Sequence, residues 1–499
     1  MSSMPNAPEV KLAIVAVSRD CFPIELSRTR RDKLANACNK LGLDPFVCPT
    51  IIENEKDSLK ALGECREAGA NAAVIYLGNF GPEGPLAVFA QRFHGPVMAC
   101  AAAEESKDSL VQGRGDAYCG MLNASYNFGL RNLRVYIPQM PVGLPEELAA
   151  KIAHFETVAR MVLGVRRLKI LAFGPRPQDF FACNAPIKPL YDLGIEVMEN
   201  SELDMYHLYQ DTKEDDKEVA ATAKDMAKEL GPGNAYPDLL PKLARFEVAL
   251  RRFAEANLGS REYAVFANKC WPAFERGFEF VPCYVNSRLS AKGMPVACEV
   301  DIYGALSEYL CYLASEFPAT LLDVNNTVPA DMIEPGADLK GAAADDLFMG
   351  FHCGNTPSCC MKSCGMKFQL IMNRLMEAGK EPDITRGTLE GQLRPGPATF
   401  FRLQGSAECK LVSYVAPGNI LDIDPQSFGG IGVFAMPNFG RLYRHVLIGK
   451  RFPHHGAVAF DNCAKALFDA VKLLGGDDIN VPLPRTMLYQ GENPFEILC

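Results

Sequence analysis

The sequence predicts an α/β protein: two N-terminal open α/β domains of the Rossmann-like kind, over residues 1–166 and 167–345, and then a mainly antiparallel β domain over 346–499. Three observations predict it. In the first third, short apolar runs alternate with amphipathic stretches, the rhythm of a parallel sheet with helical crossovers. That rhythm resumes after a long helical stretch at 146–163. From about residue 347 helical periodicity becomes rare, and Gly, Pro and β-forming residues alternate instead. A chain of 499 residues has room for two to four domains, so three is in range.

In the first domain the apolar run 11–17 reads as a strand and 28–41 as an amphipathic helix. A strand at 45–52, a helix at 58–68 closed by Gly69, and a strand at 71–77 follow. The loop Gly78-Asn79-Phe80-Gly81 leads to a helix at 86–93 and a strand at 96–101. Ligands of open α/β sheets collect at the carboxyl ends of the strands. Those ends carry Ser18-Arg19-Asp20 and the 78–81 loop. No phosphate-binding glycine fingerprint follows the first strand, which argues against a nucleotide.

The second domain opens with a strand at 168–173 and the turn Gly174-Pro175-Arg176-Pro177. Residues 180–193 read as a helix, although Pro186 and Pro189 interrupt it. A strand at 195–198 and a helix at 213–230 come next, and the charged run Glu214 to Glu218 reads as a solvated face. An amphipathic helix at 239–256 leads to a strand at 263–267 that ends in Asn268-Lys269-Cys270-Trp271-Pro272. After a Phe-rich loop, the stretch 293–311 sets Glu299 and Asp301 at the mouth of a helix. Val300, Ile302, Leu306, Tyr309 and Leu310 form that helix's apolar face. A short strand at 319–322 then runs into Asp323. The last domain holds strands at 399–403, 410–415, 420–423, 431–436 and 444–448, and one helix at 462–474 behind His454-His455-Gly456.

The net charge is −9 and the cations are scattered, so no basic stripe offers itself to nucleic acid. The polar start has no signal-peptide pattern, and no apolar run approaches the length of a bilayer. The expectation is a cytoplasmic protein without a membrane partner. In that setting the 18 cysteines read as reduced thiols, with Cys48, Cys100, Cys298 and Cys311 filling apolar runs.

Three potential ligand sets stand at element ends: Glu299, Asp323 and His454-His455. Carboxylate and imidazole together suit Mn²⁺ or a related divalent cation. The plainer readings are a first-turn acid favoured by the helix dipole for Glu299 and Asp301, and a surface pair for the histidines. A fourth set is His352 with Cys353, Cys359, Cys360 and Cys364. Read locally it suggests zinc or an iron–sulfur cluster, but its spacing lacks paired C-x-x-C arms. His352 fits better beside Glu299.

Several segments occur in an order that resembles the L-fucose isomerase and L-arabinose isomerase superfamily. They are Lys269-Cys270-Trp271-Pro272, residues 293–304 with Ala297-Cys298-Glu299-x-Asp301, residues 321–325, residues 350–355, Leu393-x-Pro395-Gly396-x-Ala398-Thr399, and Pro453-His454-His455-Gly456. The resemblance covers essentially the whole chain and is strongest in the C-terminal half. It implies two α/β domains followed by a domain with a β-barrel, and a homohexamer. It also implies a metal-dependent aldose–ketose isomerase that works through an ene-diol intermediate, usually with Mn²⁺. In fucose isomerase-like proteins a Glu, an Asp and a His hold the metal. Glu299, Asp323 and one of His454 or His455 match them, with His455 preferred. Arabinose isomerase-like proteins add a His, for which His352 is the match, but they carry Glu where this chain has Asp323. By the same analogy Glu299 and Asp323 form the acid/base pair. Substrate contacts are expected from Lys269 and Trp271, and from Arg19 and Asn79 acting on a neighbouring subunit's site. Arg19, Lys269 and Arg288 are candidate readers of an anionic group at C6, as in sulfoquinovose. The competing reading is a non-catalytic sugar-binding protein. Asp301 stays a helix-start acid or a support.

Overall fold

Runs in which every side chain is buried, such as Leu12–Val17, Ala72–Leu77 and Val97–Ala102, form a parallel sheet because both of its faces are covered. The computed structural model describes residues 4–381 and 384–496, which divide into two compact units. One unit comprises Pro8–Leu163 with Lys472–Gly475. Its five strands are all parallel, in the order Phe46–Val47, Leu12–Val17, Ala72–Leu77, Val97–Ala102, Val142–Gly143. The order reverses between Leu12–Val17 and Ala72–Leu77, so the loops beginning at Ser18 and Gly78 meet at the switch point. Asn79 ties them together. Its Oδ1 accepts from the backbone N–H of Arg19 and Gly81, and its Nδ2 donates to Ser18 Oγ. The sequence expectations lack a helix that forms at Ala117–Leu130 and exposes Tyr118, Leu122, Tyr126 and Leu130 on one face.

The other unit comprises Met1–Ala7, Gly164–Val471 and Gly476–Cys499. It contains a parallel sheet in the order Glu196–Ser201, Leu168–Gly174, Tyr263–Ala267, Val296–Ala297. It also contains a larger mixed sheet. Six strands of that sheet pair antiparallel in a closed circuit: Gly430–Ala435, Leu347–His352, Thr320–Asn326, His455–Ala459, Gly396–Gly405, Leu411–Leu421, and back to Gly430–Ala435. Arg386–Leu393 and Asp478–Asn480 join it in parallel, which makes the sheet mixed. The strand Thr320–Asn326, assigned from sequence to the second α/β domain, pairs in this larger sheet instead.

The helix Ile302–Ser315 packs against both sheets of this unit. The sequence suggested one apolar face, but the helix is buried on every side from Ile302 to Leu313. Full burial of each large apolar side chain there contributes roughly 1.5–3 kcal/mol. The strands expected at 410–415 and 420–423 are one continuous strand, Leu411–Leu421, and two further expectations fail in this unit. Residues 180–193 hold only a 3₁₀ turn at Phe181–Cys183 and a short helix at Lys188–Asp192, as the two prolines dictate. Residues 444–448 are helical turns, not a strand, because a short apolar run does not distinguish the two by periodicity.

Candidate metal centre

The closed circuit of strands sets the site. Asp323 stands directly opposite His455 in one antiparallel pairing and opposite Phe351 in the other, so Asp323 and His455 project to the same side. His352 ends the neighbouring strand. Glu299 arrives from the parallel sheet, just past Val296–Ala297. Its backbone is left-handed at φ 61°, and Val300 follows at φ 56°. Two such residues in succession, one of them β-branched, cost of order 1–3 kcal/mol each and persist where surrounding structure holds them. This kink separates Glu299 from the helix that begins at Ile302 and aims its carboxylate at the histidines.

His455 Nε2 lies 3.1 Å from Glu299 Oε2 and 3.4 Å from Asp323 Oδ1. His454 Nε2 lies 3.5 Å and 3.8 Å from the same two oxygens. Despite these distances, Asp323 Oδ1 and His455 Nε2 are buried with no hydrogen-bond partner among the described residues. Buried polar atoms are rarely left so. Glu299 with His454 and His455, and Asp323 with His352 and His455, each bring three possible ligand atoms within 4.8 Å of one another, and carboxylates with imidazoles are a donor set that suits a divalent cation. His455 is fully buried and His454 is about one-third exposed, its ring edge-on to Phe180 at 5.8 Å.

Behind His455 stands an ionic relay. His455 Nδ1 donates to Asp301 Oδ2 at 2.8 Å. Arg402, with no exposed surface, grips Asp301 through two bonds of 2.6 and 2.9 Å and also donates to Gln404. Asp301 Oδ1 in addition caps the helix at Gly304 N, where a Cβ on residue 304 would strike the Asp301 carboxylate. Burial opposes ionisation of Asp301, but Arg402 and His455 outweigh it and hold the group well below the usual carboxylate range. Burial likewise raises Glu299, yet His455 and His454 bring it down to about 2. Asp323 goes the other way: desolvation wins over the three histidines and raises it. The Cys183 thiol sits 3.7 Å from His455 Nδ1. Sequence reading left Asp301 as a bystander or support and missed Arg402, whose partner is 101 residues away.

Glu299, Asp323, His352 and His454 line a cleft of about 440 Å³, within the size range of small-ligand sites. Trp271, Phe180, Phe351, Ile371 and Met372 give it apolar walls. Among the further polar residues that line it and that the sequence did not single out are Gln369 and Arg276. Gln369 is 1% exposed, and its Nε2 has no partner among the described residues. Arg276 is exposed and makes no hydrogen bond or ion pair among the described residues.

Other candidates are engaged elsewhere. Lys269 is 3% exposed and pairs with Glu202 at 3.1 Å. Arg288 is buried among Glu247, Glu229 and Asp225, so an internal ion network replaces the expected anion contact. Asn79 is fully buried, its amide used in holding the loops of its own unit. Arg19 lies over the Phe80 ring at 5.2 Å. Cys353 turns away from Cys359 and Cys360. Its thiol meets those of Cys270 and Cys283 in a buried apolar cluster, and Cys270 also meets Cys298. Among the described residues, Cys359, Cys360 and Cys364 join no group of three close donor atoms.

Comparison with known proteins bears on this geometry. Residues 13–166 match the family described as fucose/sulfoquinovose isomerase, N-terminal domain, and residues 350–480 match L-fucose isomerase, C-terminal domain. A protein of Alkalicoccus urumqiensis named sulfoquinovose isomerase is 27% identical over 304 residues, 58% of this chain and 60% of that protein. A protein of the same name from Clostridium sp. (strain MSTE9) is 26% identical over 306 residues, 60% of this chain and 62% of its own. The chain therefore spans about three fifths of the length of these two relatives. One from Priestia aryabhattai is 24% identical over 470 residues, 92% of this chain and 96% of that protein. Among the described residues, no helix is long and apolar enough to cross a membrane.

Proposed function

This chain is a divergent member of the L-fucose isomerase family, and from that premise we propose that it interconverts an aldose and its ketose through an ene-diol intermediate. The observation that carries the reading is that His455 Nε2 lies within 3.4 Å of both Glu299 and Asp323, two carboxylates that line the cleft, while His455 Nε2 and Asp323 Oδ1 are buried with no hydrogen-bond partner among the described residues. Those three residues would hold a divalent cation, Mn²⁺ or a relative, with His454 beside them at the cleft wall. A bound cation supplies Lewis-acid polarisation of the sugar's O1 and O2. The chain supplies proton transfer. Two carboxyl groups pushed apart in pKa by their surroundings suit base and acid roles. Glu299, held ionised by the histidines, takes the proton from carbon. Asp323, whose carboxyl desolvation raises, is the group that returns one, acting through an oxygen not engaged with the cation. Trp271 and Phe180 exclude water from one side. A hexameric assembly belongs to this reading through the family resemblance, and a cytoplasmic location through the polar, signal-free start of the sequence.

The substrate reading favoured by Arg276 and Gln369 is a hexose with an anionic group at C6. Gln369 Nε2 offers a buried donor to a hydroxyl, and Arg276 offers an unpaired cation at the opening. This takes the place of Lys269 and Arg288, and it agrees with the sulfoquinovose isomerase name of the relatives.

Protein stripped with EDTA is expected to form no ketose from any of a panel of neutral, 6-deoxy and 6-sulfo aldoses, and to regain activity with Mn²⁺. Ketose formation that ignores the chelator would sink the assignment, and tight sugar binding without turnover would point to a binding protein instead. Arg276→Ala is expected to raise KM for a 6-sulfo aldose about 10–100-fold, the worth of one charge-assisted hydrogen bond, and to leave a 6-deoxy sugar unaffected. Equal losses on both sugars would remove Arg276 from substrate recognition.

A further inference from the structure

Two imidazoles face the same carboxylates, and their hydrogen bonds fix opposite tautomers. His455 gives its Nδ1 proton to the ionised Asp301, so its Nε2 can present a lone pair. His352 is the reverse. The backbone N–H of Cys353 donates to His352 Nδ1 at 2.9 Å, and the Cys353 thiol lies 3.4 Å from the same nitrogen. A ring nitrogen that accepts has no proton of its own, so neutral His352 carries its proton on Nε2. Turning the ring over would set a carbon against both Cys353 groups and leave a buried backbone N–H unpaired, which folded proteins avoid. His352 Nε2 is itself buried, lines the cleft, and has no hydrogen-bond partner among the described residues. A ring nitrogen of His352 lies within 4.8 Å of donor atoms of Asp323 and His455.

We infer that His352 is a hydrogen-bond donor to the substrate and not a metal ligand. The inference rests on the isomerase reading above. A nitrogen that carries a proton offers no lone pair to a cation, and freeing one would move the proton to Nδ1 and break the hydrogen bond from the Cys353 N–H. What it can meet is an oxygen that gains negative charge as the reaction proceeds. The C1 or C2 oxygen of an open-chain sugar does so on the way to the ene-diol. A donor held in place before that charge develops stabilises it without reorganisation. His352 is thus a catalytic residue distinct from the Glu299, Asp323 and His455 set. Its surroundings, a fully buried strand end and the backbone N–H of Cys353, keep its proton aimed into the cleft.

The test uses the full chain with His352→Leu and His352→Gln, and with His455→Gln as the control. Glutamine restores an N–H donor near the position of Nε2, and leucine does not. Calorimetry with Mn²⁺ and nitrogen hyperfine couplings of the bound Mn²⁺ in pulsed electron paramagnetic resonance report ligation without reference to turnover. Both His352 variants are expected to bind Mn²⁺ within about threefold of wild type with the nitrogen coupling intact, whereas His455→Gln weakens binding and removes the coupling. With the aldose that wild type converts, His352→Leu is expected to lose about 100-fold in kcat, of which His352→Gln recovers about tenfold. A loss of Mn²⁺ affinity beyond about tenfold, or of the nitrogen coupling, on removing His352 would make it a ligand and overturn the inference. Equal kcat in both variants and wild type would overturn it as well. A wild-type protein that converts no aldose defeats the isomerase reading itself, a result distinct from either.

Discussion

Replacing Arg402 by methionine is expected to destabilise the protein by about 3–5 kcal/mol, the usual consequence of removing one partner from a buried ion pair. Arg402 has no exposed surface, and its guanidinium meets both oxygens of Asp301. Without it the Asp301 carboxylate keeps its burial and loses its principal counter-charge. The native state can then hold Asp301 only by protonating it, or by leaning on His455 alone. Either response disturbs the hydrogen bond that sets His455 Nδ1, so the effect reaches the candidate metal centre. Asp301→Asn separates the two consequences. It leaves Arg402 buried without a carboxylate, and it offers His455 a neutral amide. Mn²⁺ affinity is expected to fall about 10–100-fold in Asp301→Asn, the range typical for a partner that orients a metal-ligating histidine. Urea unfolding measures the first effect and calorimetry the second. The double variant Asp301→Asn with Arg402→Met should recover part of the stability and none of the metal affinity, because no charge is then left unpaired but nothing orients the imidazole. Stability unchanged in Arg402→Met would mean that water or a rearranged Gln404 replaces the guanidinium.

The parallel sheets were legible in the sequence because their strands are short apolar runs between amphipathic helices. The ends of those elements pointed to Glu299, Asp323 and the histidine pair. What joins them was less legible. Asp301 reads as a helix-start acid, and it does cap Gly304, but its second oxygen serves His455, which stands 154 residues further on. Lys269 and Arg288 read as free cations until tertiary packing supplies Glu202 to one and three carboxylates to the other. Gln369 and Arg276 lie in segments without periodicity, so only the folded cleft singles them out. The left-handed backbone at Glu299 and Val300 contradicts the local preference of both residue types. Such conflicts between local and global preference gather where structure is held for function.

Glu308 should make the protein's stability fall as pH rises, and Glu308→Gln should abolish that dependence. Glu308 lies two turns beyond Asp301 on the helix Ile302–Ser315, is 2% exposed, and has an Oε2 without a partner among the described residues. Burial pushes its carboxyl up from 4.5 to about 8, against the pull of Ser290 and the site histidines. Below pH 4.5 the folded and unfolded chains both hold the proton. Between 4.5 and about 8 the unfolded chain releases it while the folded chain keeps it, so unfolding is favoured increasingly as pH climbs. The slope is about 1.4 kcal/mol per pH unit, on the order of 5 kcal/mol across the window, and it vanishes above the folded value, where both states are ionised. Glutamine has the same shape and no proton to lose. Wild type and Glu308→Gln should therefore converge in unfolding free energy near pH 4.5 and separate steadily toward pH 8, with the variant the more stable. Urea midpoints measured at half-unit intervals decide it. Parallel curves would mean that water or a donor satisfies Glu308 and that it is ionised at neutral pH. The same neutral carboxyl bears on the site. An ionised Glu308 would add a charge behind His352 and His455 and favour their protonated forms, which competes with cation binding at His455. Keeping Glu308 protonated leaves Glu299 and Asp323 as the carboxylates that face the cleft beside His455.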